Sequence, residues 1–195
     1  MFTERIILPE GDTYIEYIPM IPPELQLNRK SYAELWDTHP TEFGNIVIYG
    51  KHIATPRWFQ NYGNEYVFSG IKHSALPIPQ ILVPFIDYAN AREKTDIFNG
   101  ILVNWYQDGK HYIGKHSDDE KTLIKNTPIY VFSMGSERDF IIESKQEPST
   151  KYKYTTLNNS LLIMGGECQK YYKHSLPKRA NINNSRISIT VRAFK

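Results

Sequence analysis

From about residue 98 the chain divides into seven short apolar runs, and this division restricts its fold more than any other feature. The runs lie at 101–106, 129–134, 140–143, 152–156, 161–164, 171–176 and 186–192, separated by turn-forming residues. Many short strands at such spacing predict an all-β sandwich or barrel. The last run is the clearest. In Arg186-Ile-Ser-Ile-Thr-Val-Arg192 the side chains alternate, so Arg186, Ser188, Thr190 and Arg192 share one face and Ile187, Ile189 and Val191 the other. In an ordinary sandwich the apolar face makes the core. Here the polar face could line a site at the mouth of a barrel, provided that helices cover the apolar face from outside. Residues 22–37 and 79–93 supply two such helices, their early prolines (Pro22, Pro23, Pro84) being acceptable near a helix start.

With 41% hydrophobic and 23% charged residues, the chain can bury a real core, which excludes a disordered or repeat protein. It has no run of 18 or more apolar residues, so no membrane span is expected. The opening apolar stretch is broken at Pro9 and Glu10, too soon for a signal peptide. Cys168 is the single cysteine; it excludes an internal disulfide, fits a reducing compartment and reads as a small buried filler. An intracellular monomer, in nucleus or cytoplasm and not secreted, is the expectation. Charge is uneven. Residues 145–195 hold 10 Lys and Arg against 2 Asp and Glu, net +8, whereas residues 1–144 hold 13 against 19, net −6. A basic C-terminal region suits phosphate contacts, although a solvated Lys-rich surface explains it equally well.

The chemistry concentrates in residues 104–120 and in two distant partners. His116-Ser-Asp118 places two metal-binding side chains on one side of an extended chain, and His174 offers a second imidazole. Two imidazoles and one carboxylate leave half an octahedron open, the ligand set of non-haem Fe(II) oxygenases. A hydrolytic zinc site would use the same ligands. The conjunction with Arg186, Arg192 and the pair Asn104-x-Tyr106 favours the oxygenase, because guanidinium groups bind a dicarboxylate cosubstrate in a strong, directional way. His39, His52, His73 and His111 lack comparable partners and read as surface or ordinary hydrogen-bonding residues.

Taken in order, Ile48-Tyr-Gly-Lys51, Thr55-Pro-Arg57, Tyr66-Val-Phe-Ser-Gly70, Asn104-x-Tyr106-x-Asp-Gly109, His116-Ser-Asp-Asp-Glu120, Ser133-x-Gly135-x-x-Arg138-Asp-Phe140, His174-Ser-Leu-Pro177 and Arg186-x-Ser-x-Thr190-x-Arg192 resemble the AlkB family of Fe(II)/2-oxoglutarate-dependent dioxygenases. The likeness is strongest to the branch that repairs alkylated double-stranded DNA. It implies a mainly β fold with flanking helices, a double-stranded β-helix (jelly roll). One domain would span residues 1–195, with helices and a nucleotide-recognition lid in 1–97 and the catalytic core in 98–195. His116, Asp118 and His174 would hold Fe(II), with 2-oxoglutarate and O2 as cosubstrates. Arg192 would clamp the distal carboxylate of 2-oxoglutarate with Asn104 and Tyr106, and Thr190 would line that pocket. Arg186 would sit beside Asp118 or the cosubstrate.

On the substrate side, the resemblance assigns Tyr66, Val67, Phe68 and Ser69 to the lid, Asp119 to the flipped base, and Arg57 to substrate contact. Tyr49, Gly50 and Lys51 would form a hairpin whose aromatic finger fills the gap left by base flipping, with Lys51 on phosphate. Tyr49 stands where this branch usually shows Phe. As a bare sequence the segment is a strand running into a turn. The implied reaction is oxidative demethylation of 1-methyladenine and 3-methylcytosine in DNA, with alkylated DNA as partner. The alternatives are an RNA or single-strand demethylase, supported by the short connection between Phe140 and Tyr152, a catalytically silent jelly-roll module that grips nucleic acid, and a protein hydroxylase.

Overall fold

The computed structural model describes residues 3–48, 50–68 and 71–195. Its strands in chain order are β1 (Glu4–Leu8), β2 (Thr13–Ile18), β3 (Asn45–Ile48), β4 (Lys51–Ala54), β5 (Trp58–Tyr62), β6 (Tyr66–Phe68), β7 (Ile71–His73), β8 (Ala75–Leu76) and β9 (Phe98–Tyr106). Then follow β10 (Ile113–His116), β11 (Ile129–Gly135), β12 (Arg138–Ser144), β13 (Lys151–Thr156), β14 (Ser160–Gly166), β15 (Tyr172–Leu176) and β16 (Arg186–Ala193). The α-helices are α1 (Arg29–Trp36), α2 (Val83–Glu93) and the single turn α3 (Cys168–Tyr171).

The architecture is a jelly roll. An eight-stranded sheet in the order β1-β2-β14-β11-β16-β9-β5-β8 is packed against a four-stranded sheet in the order β10-β15-β12-β13. Between them lies one core: Val131, Leu162 and Met164 of the large sheet meet Phe140, Ile142, Tyr154 and Leu176 of the small one. The outer face of the large sheet makes a second core, in which Ile187, Ile189, Val191 and Trp105 pack against Leu35 of α1 and Phe85, Ile86 and Ala89 of α2. The expected division of β16 is therefore observed, with its isoleucines and valine under the helices and Arg186, Ser188, Thr190 and Arg192 inside the roll. All eight residues of β16 are buried.

Residues 1–97 carry more than helices. β1, β2, β5 and β8 join the large sheet, β2 through Ile18 to Thr13 alongside Leu161 to Gly166. These strands are too short to show period-2 patterning by themselves, and their partners lie up to about 150 positions away, so only tertiary pairing defines them. The two helices form where proline and capping allow. Asn28 accepts hydrogen bonds from the Lys30 and Ser31 amides at 2.9 and 3.0 Å, capping α1, and Pro84 sits in the first turn of α2. Among the described residues no helix is long and apolar enough to cross a membrane.

Two motif residues position the rim of the roll. Buried Arg138 donates to the carbonyls of Asp108, His111 and Pro177 at 3.2, 2.9 and 2.7 Å, binding the loop after β9 to the loop after β15. Gly109 completes the tie, its amide donating to Ile182 O and its carbonyl accepting from the Arg179 amide, both at 2.7 Å. A Cβ at Gly109 would lie 1.7 Å from Arg179 O, so only glycine allows this approach.

Candidate metal centre

The two imidazoles are placed by strand register. His116, the last residue of β10, is the Cα partner of His174 in β15, and their ring centroids are 4.2 Å apart. Asp118 follows two residues beyond the end of β10. Its carboxylate oxygens lie 3.7 Å from His116 Nε2 and 4.0 Å from His174 Nε2. One ligand atom from each of the three lies within 4.8 Å of the others, and this is the group among the described residues that could hold a metal ion.

Surrounding contacts fix the ligands in their metal-binding forms. His116 Nδ1 is 2.9 Å from the Gly114 carbonyl, so Nδ1 carries the proton and Nε2 turns its lone pair toward Asp118 and His174. Phe140 stacks on the His174 ring with centroids 5.4 Å apart and planes 12° from parallel. Burial, with His116 alongside, pushes His174 down to about 3, and loss of solvent lowers His116 as well, so both rings are neutral at pH 7. Burial alone would raise Asp118, but Arg192 and the two imidazoles hold it below the usual carboxylate range. Arg192 Nη2 is 2.8 Å from Asp118 Oδ2. Two neutral imidazoles and a charged carboxylate fit a divalent metal of the non-haem iron type.

The resemblance set Arg192 on a distal carboxylate and Arg186 beside Asp118 or the cosubstrate. Arg192 makes the Asp118 contact. The two lie six residues apart on one face of β16, which separates their Cα atoms by about 20 Å at roughly 3.3 Å per residue. Arg186 therefore lies at the other end of that face from the Asp118 contact, opposite Tyr106 in the register with β9. Its Nη2 donates to Ser133 Oγ at 2.7 Å and its guanidinium lies 5.2 Å from the Tyr106 ring centroid. Burial pushes it down to about 10, so it stays cationic, while its buried Nε and Nη1 have no hydrogen-bond partner among the described residues. A buried cation with two unpaired nitrogens suits a carboxylate.

Asn104, Tyr106 and Thr190 lie on this inner surface, each at most 6% exposed. Arg57, expected to meet substrate, belongs with them. It is 6% exposed and donates through Nε to Asn104 Oδ1 at 2.7 Å. Asp119 lines the cavity beside Asp118, its side chain 64% exposed and paired at 3.7 Å with Lys145. Gly50 and Lys51 are exposed, at the start of β4. Tyr49 and Ser69 lie outside the described residues, as do the side chains of Tyr66, Val67 and Phe68; β6 is described by its backbone, antiparallel to β7.

Sequence reading missed three contributors. Ser133 and Phe140 stood inside a recognised motif, so a signal existed but no role could be read from it. Gln169 carried no signal at all. Cys168 is 1% exposed and its thiol is pushed up to about 12 by burial, which makes it inert.

A sequence profile described as the 2OG-Fe(II) oxygenase superfamily matches residues 28–192. Among curated proteins, the DNA oxidative demethylase ALKBH2 of Bos taurus is 32% identical over 160 residues, covering 75% of this chain and 56% of that protein. For the Homo sapiens ALKBH2 the identity is 32% over 157 residues, with 75% and 60% covered. The chain thus spans 56–60% of the length of these relatives. The solved structure of OsALKBH1 superposes with a TM-score of 0.62 at 15% identity, covering 97% of this chain and all of that one, a likeness of fold.

Proposed function

The chain belongs to the AlkB family of the 2OG-Fe(II) oxygenase superfamily, and from that premise we propose that it removes methyl groups oxidatively from N-alkylated bases of DNA, such as 1-methyladenine and 3-methylcytosine. The observation that carries the chemistry is the triad, with Asp118 and His174 buried, together with Arg186 buried farther along the same inner face with unpaired nitrogens. The choice of substrate is supported by the likeness to the ALKBH2 demethylases and by the β3–β4 pair, whose β4 residues are all exposed.

Iron(II), 2-oxoglutarate and dioxygen, when bound, supply the oxidation of the N-methyl carbon, which leaves as formaldehyde while the cosubstrate becomes succinate and carbon dioxide. The residues present divide the remaining work. His116, Asp118 and His174 would hold the metal. Arg192 keeps Asp118 ionised and oriented. Arg186, flanked by Tyr106 and Ser133, would take the distal carboxylate of 2-oxoglutarate, and Arg57 orients the Asn104 amide through Nε. The apolar core between the sheets walls this inner end from water, which strengthens each of these charged contacts. A methyl group on the pairing edge of a base can be reached only if that base is unpaired or flipped out, at a cost of a few kcal/mol that a damaged pair reduces.

The test is anaerobic reconstitution with Fe(II) and 2-oxoglutarate, then addition of oxygen and mass spectrometry of matched duplex and single-stranded oligonucleotides bearing 1-methyladenine. Loss of the methyl group that needs both oxygen and 2-oxoglutarate is the expected result. Succinate without any change in the oligonucleotides would leave the oxygenase and discard the substrate. Equal rates on duplex and single strand would favour the single-strand or RNA enzyme.

A further inference from the structure

The three metal-binding side chains are not secured alike. His116 and His174 hold one another through the β10–β15 register, and each belongs to a strand. Asp118 lies off the ladder, in the segment that leaves β10. The space beside it is a cavity of about 320 Å³, lined in part by Asp118, Leu123, Ile129, Lys145, Gln169 and Arg192. Packing cannot brace Asp118 from that side, so its position depends on hydrogen bonds.

Those bonds come from the turn α3. The Asp118 amide donates to Gln169 Oε1 at 2.9 Å. Gln169 is in turn fixed at three points. Its Nε2 lies 3.6 Å from Met164 Sδ, its carbonyl accepts from Lys145 Nζ at 2.8 Å, and its neighbour Cys168 is buried at 1% exposure. One residue before Asp118, Ser117 Oγ donates to the Tyr172 carbonyl at 2.8 Å, stitching the same segment to the start of β15. The side-chain amide is therefore the contact that sets the height of Asp118 over the two imidazoles, while Arg192 sets the direction of its carboxylate.

We propose that Gln169 is a positioning residue for the metal centre: its carbonyl oxygen, by accepting the Asp118 amide proton, holds the one ligand that no strand fixes. Partners that orient ligands typically change metal affinity by about 10- to 100-fold when removed. The role is independent of what the enzyme demethylates.

The measurement is Mn(II) affinity of the full chain, read from the electron paramagnetic resonance signal of the free ion, for Gln169→Met and Gln169→Glu. Methionine keeps the length and removes the acceptor; glutamate keeps an acceptor oxygen in the same place. The expected result is an affinity loss of about 10- to 100-fold for Gln169→Met, with Gln169→Glu within about threefold of the parent. The ligand-field absorption of the Co(II)-loaded protein should change in Gln169→Met and be restored in Gln169→Glu, which a general packing defect would not reproduce. Unchanged Mn(II) affinity in Gln169→Met would overturn the proposal, and so would equal losses in both variants. If the methionine variant fails to fold, Gln169→Asn, which withdraws the oxygen by one carbon, takes its place with the same expected loss.

Discussion

Strand β16 and strand β4 show two ways of building with the same backbone. β16 is paired with β11 on one side and β9 on the other, and all its residues are buried. β4 is paired only with β3, and all four of its residues are exposed. β6 and β7 pair with each other in a separate two-stranded sheet, with an exposed Lys72–Glu65 ion pair at 2.6 Å that contributes at most about 1 kcal/mol. Under the proposed function, the difference follows from the demands on each region. Groups that bind a metal and a small diacid must be held to a fraction of an ångström, which suits strands locked on both edges. A surface that meets a polymer needs reach and exposed charge. Chemistry should therefore fail abruptly when the inner strands or their partners are altered, and selectivity should change gradually when the outer hairpins are.

The largest effect is expected at Asp118. Asp118→Ala removes one of three ligands and leaves Arg192 buried against a missing carboxylate, a loss of about 3–5 kcal/mol for a broken buried pair. Turnover should vanish in the oligonucleotide assay and Mn(II) binding should fall by at least about 100-fold. Retained tight metal binding would remove Asp118 from the ligand set. Next comes the division between the arginines. Arg186→Gln should raise the KM for 2-oxoglutarate by roughly 30-fold, about 2 kcal/mol for a charged hydrogen-bonded contact, with Mn(II) affinity unchanged. Arg192→Gln should lower Mn(II) affinity instead. A reversal of these two outcomes would restore the assignment that sequence alone suggested.

The legibility of the molecule follows the same divide. Seven of the eight strands from β9 onward, the two helices and the metal triad could be read from sequence because each rests on a local pattern: alternation, a capped or proline-led helix, or a fixed ligand spacing; the four-residue β10 was not read as a strand. The strands β2 and β5 could not be read, since their partners β14 and β9 lie far along the chain, and β1 and β8 reach the large sheet only through them. At the site, sequence gave the membership of the Arg186–Arg192 face but not which arginine meets Asp118. That depends on how the four-stranded sheet carrying β10 packs over β16, a property of sheet-on-sheet packing. The resemblance set Arg57 at the substrate, and the structure buries it just before β5, where it donates to Asn104.

Smaller effects are expected on the hairpin. Tyr49→Ala should lower activity on duplex oligonucleotides by about 10-fold, near the 1–3 kcal/mol of one base-stacking contact, and change single-strand activity less than twofold. Equal losses on both substrates would remove the aromatic finger from the account.

The mildest test concerns Lys51, exposed at the head of β4. If it meets a phosphate, it contributes one released counterion and no sequence preference. Lys51→Ala should then weaken oligonucleotide binding uniformly across sequences and reduce the slope of log affinity against log salt by about one. Demethylation measured at saturating oligonucleotide should be unaffected, because nothing on β4 is tied to the triad. A lowered turnover number with an unchanged salt slope would mean that the hairpin acts on the inner site through the fold, and the separation between rigid chemistry and adaptable contact would not hold for this molecule.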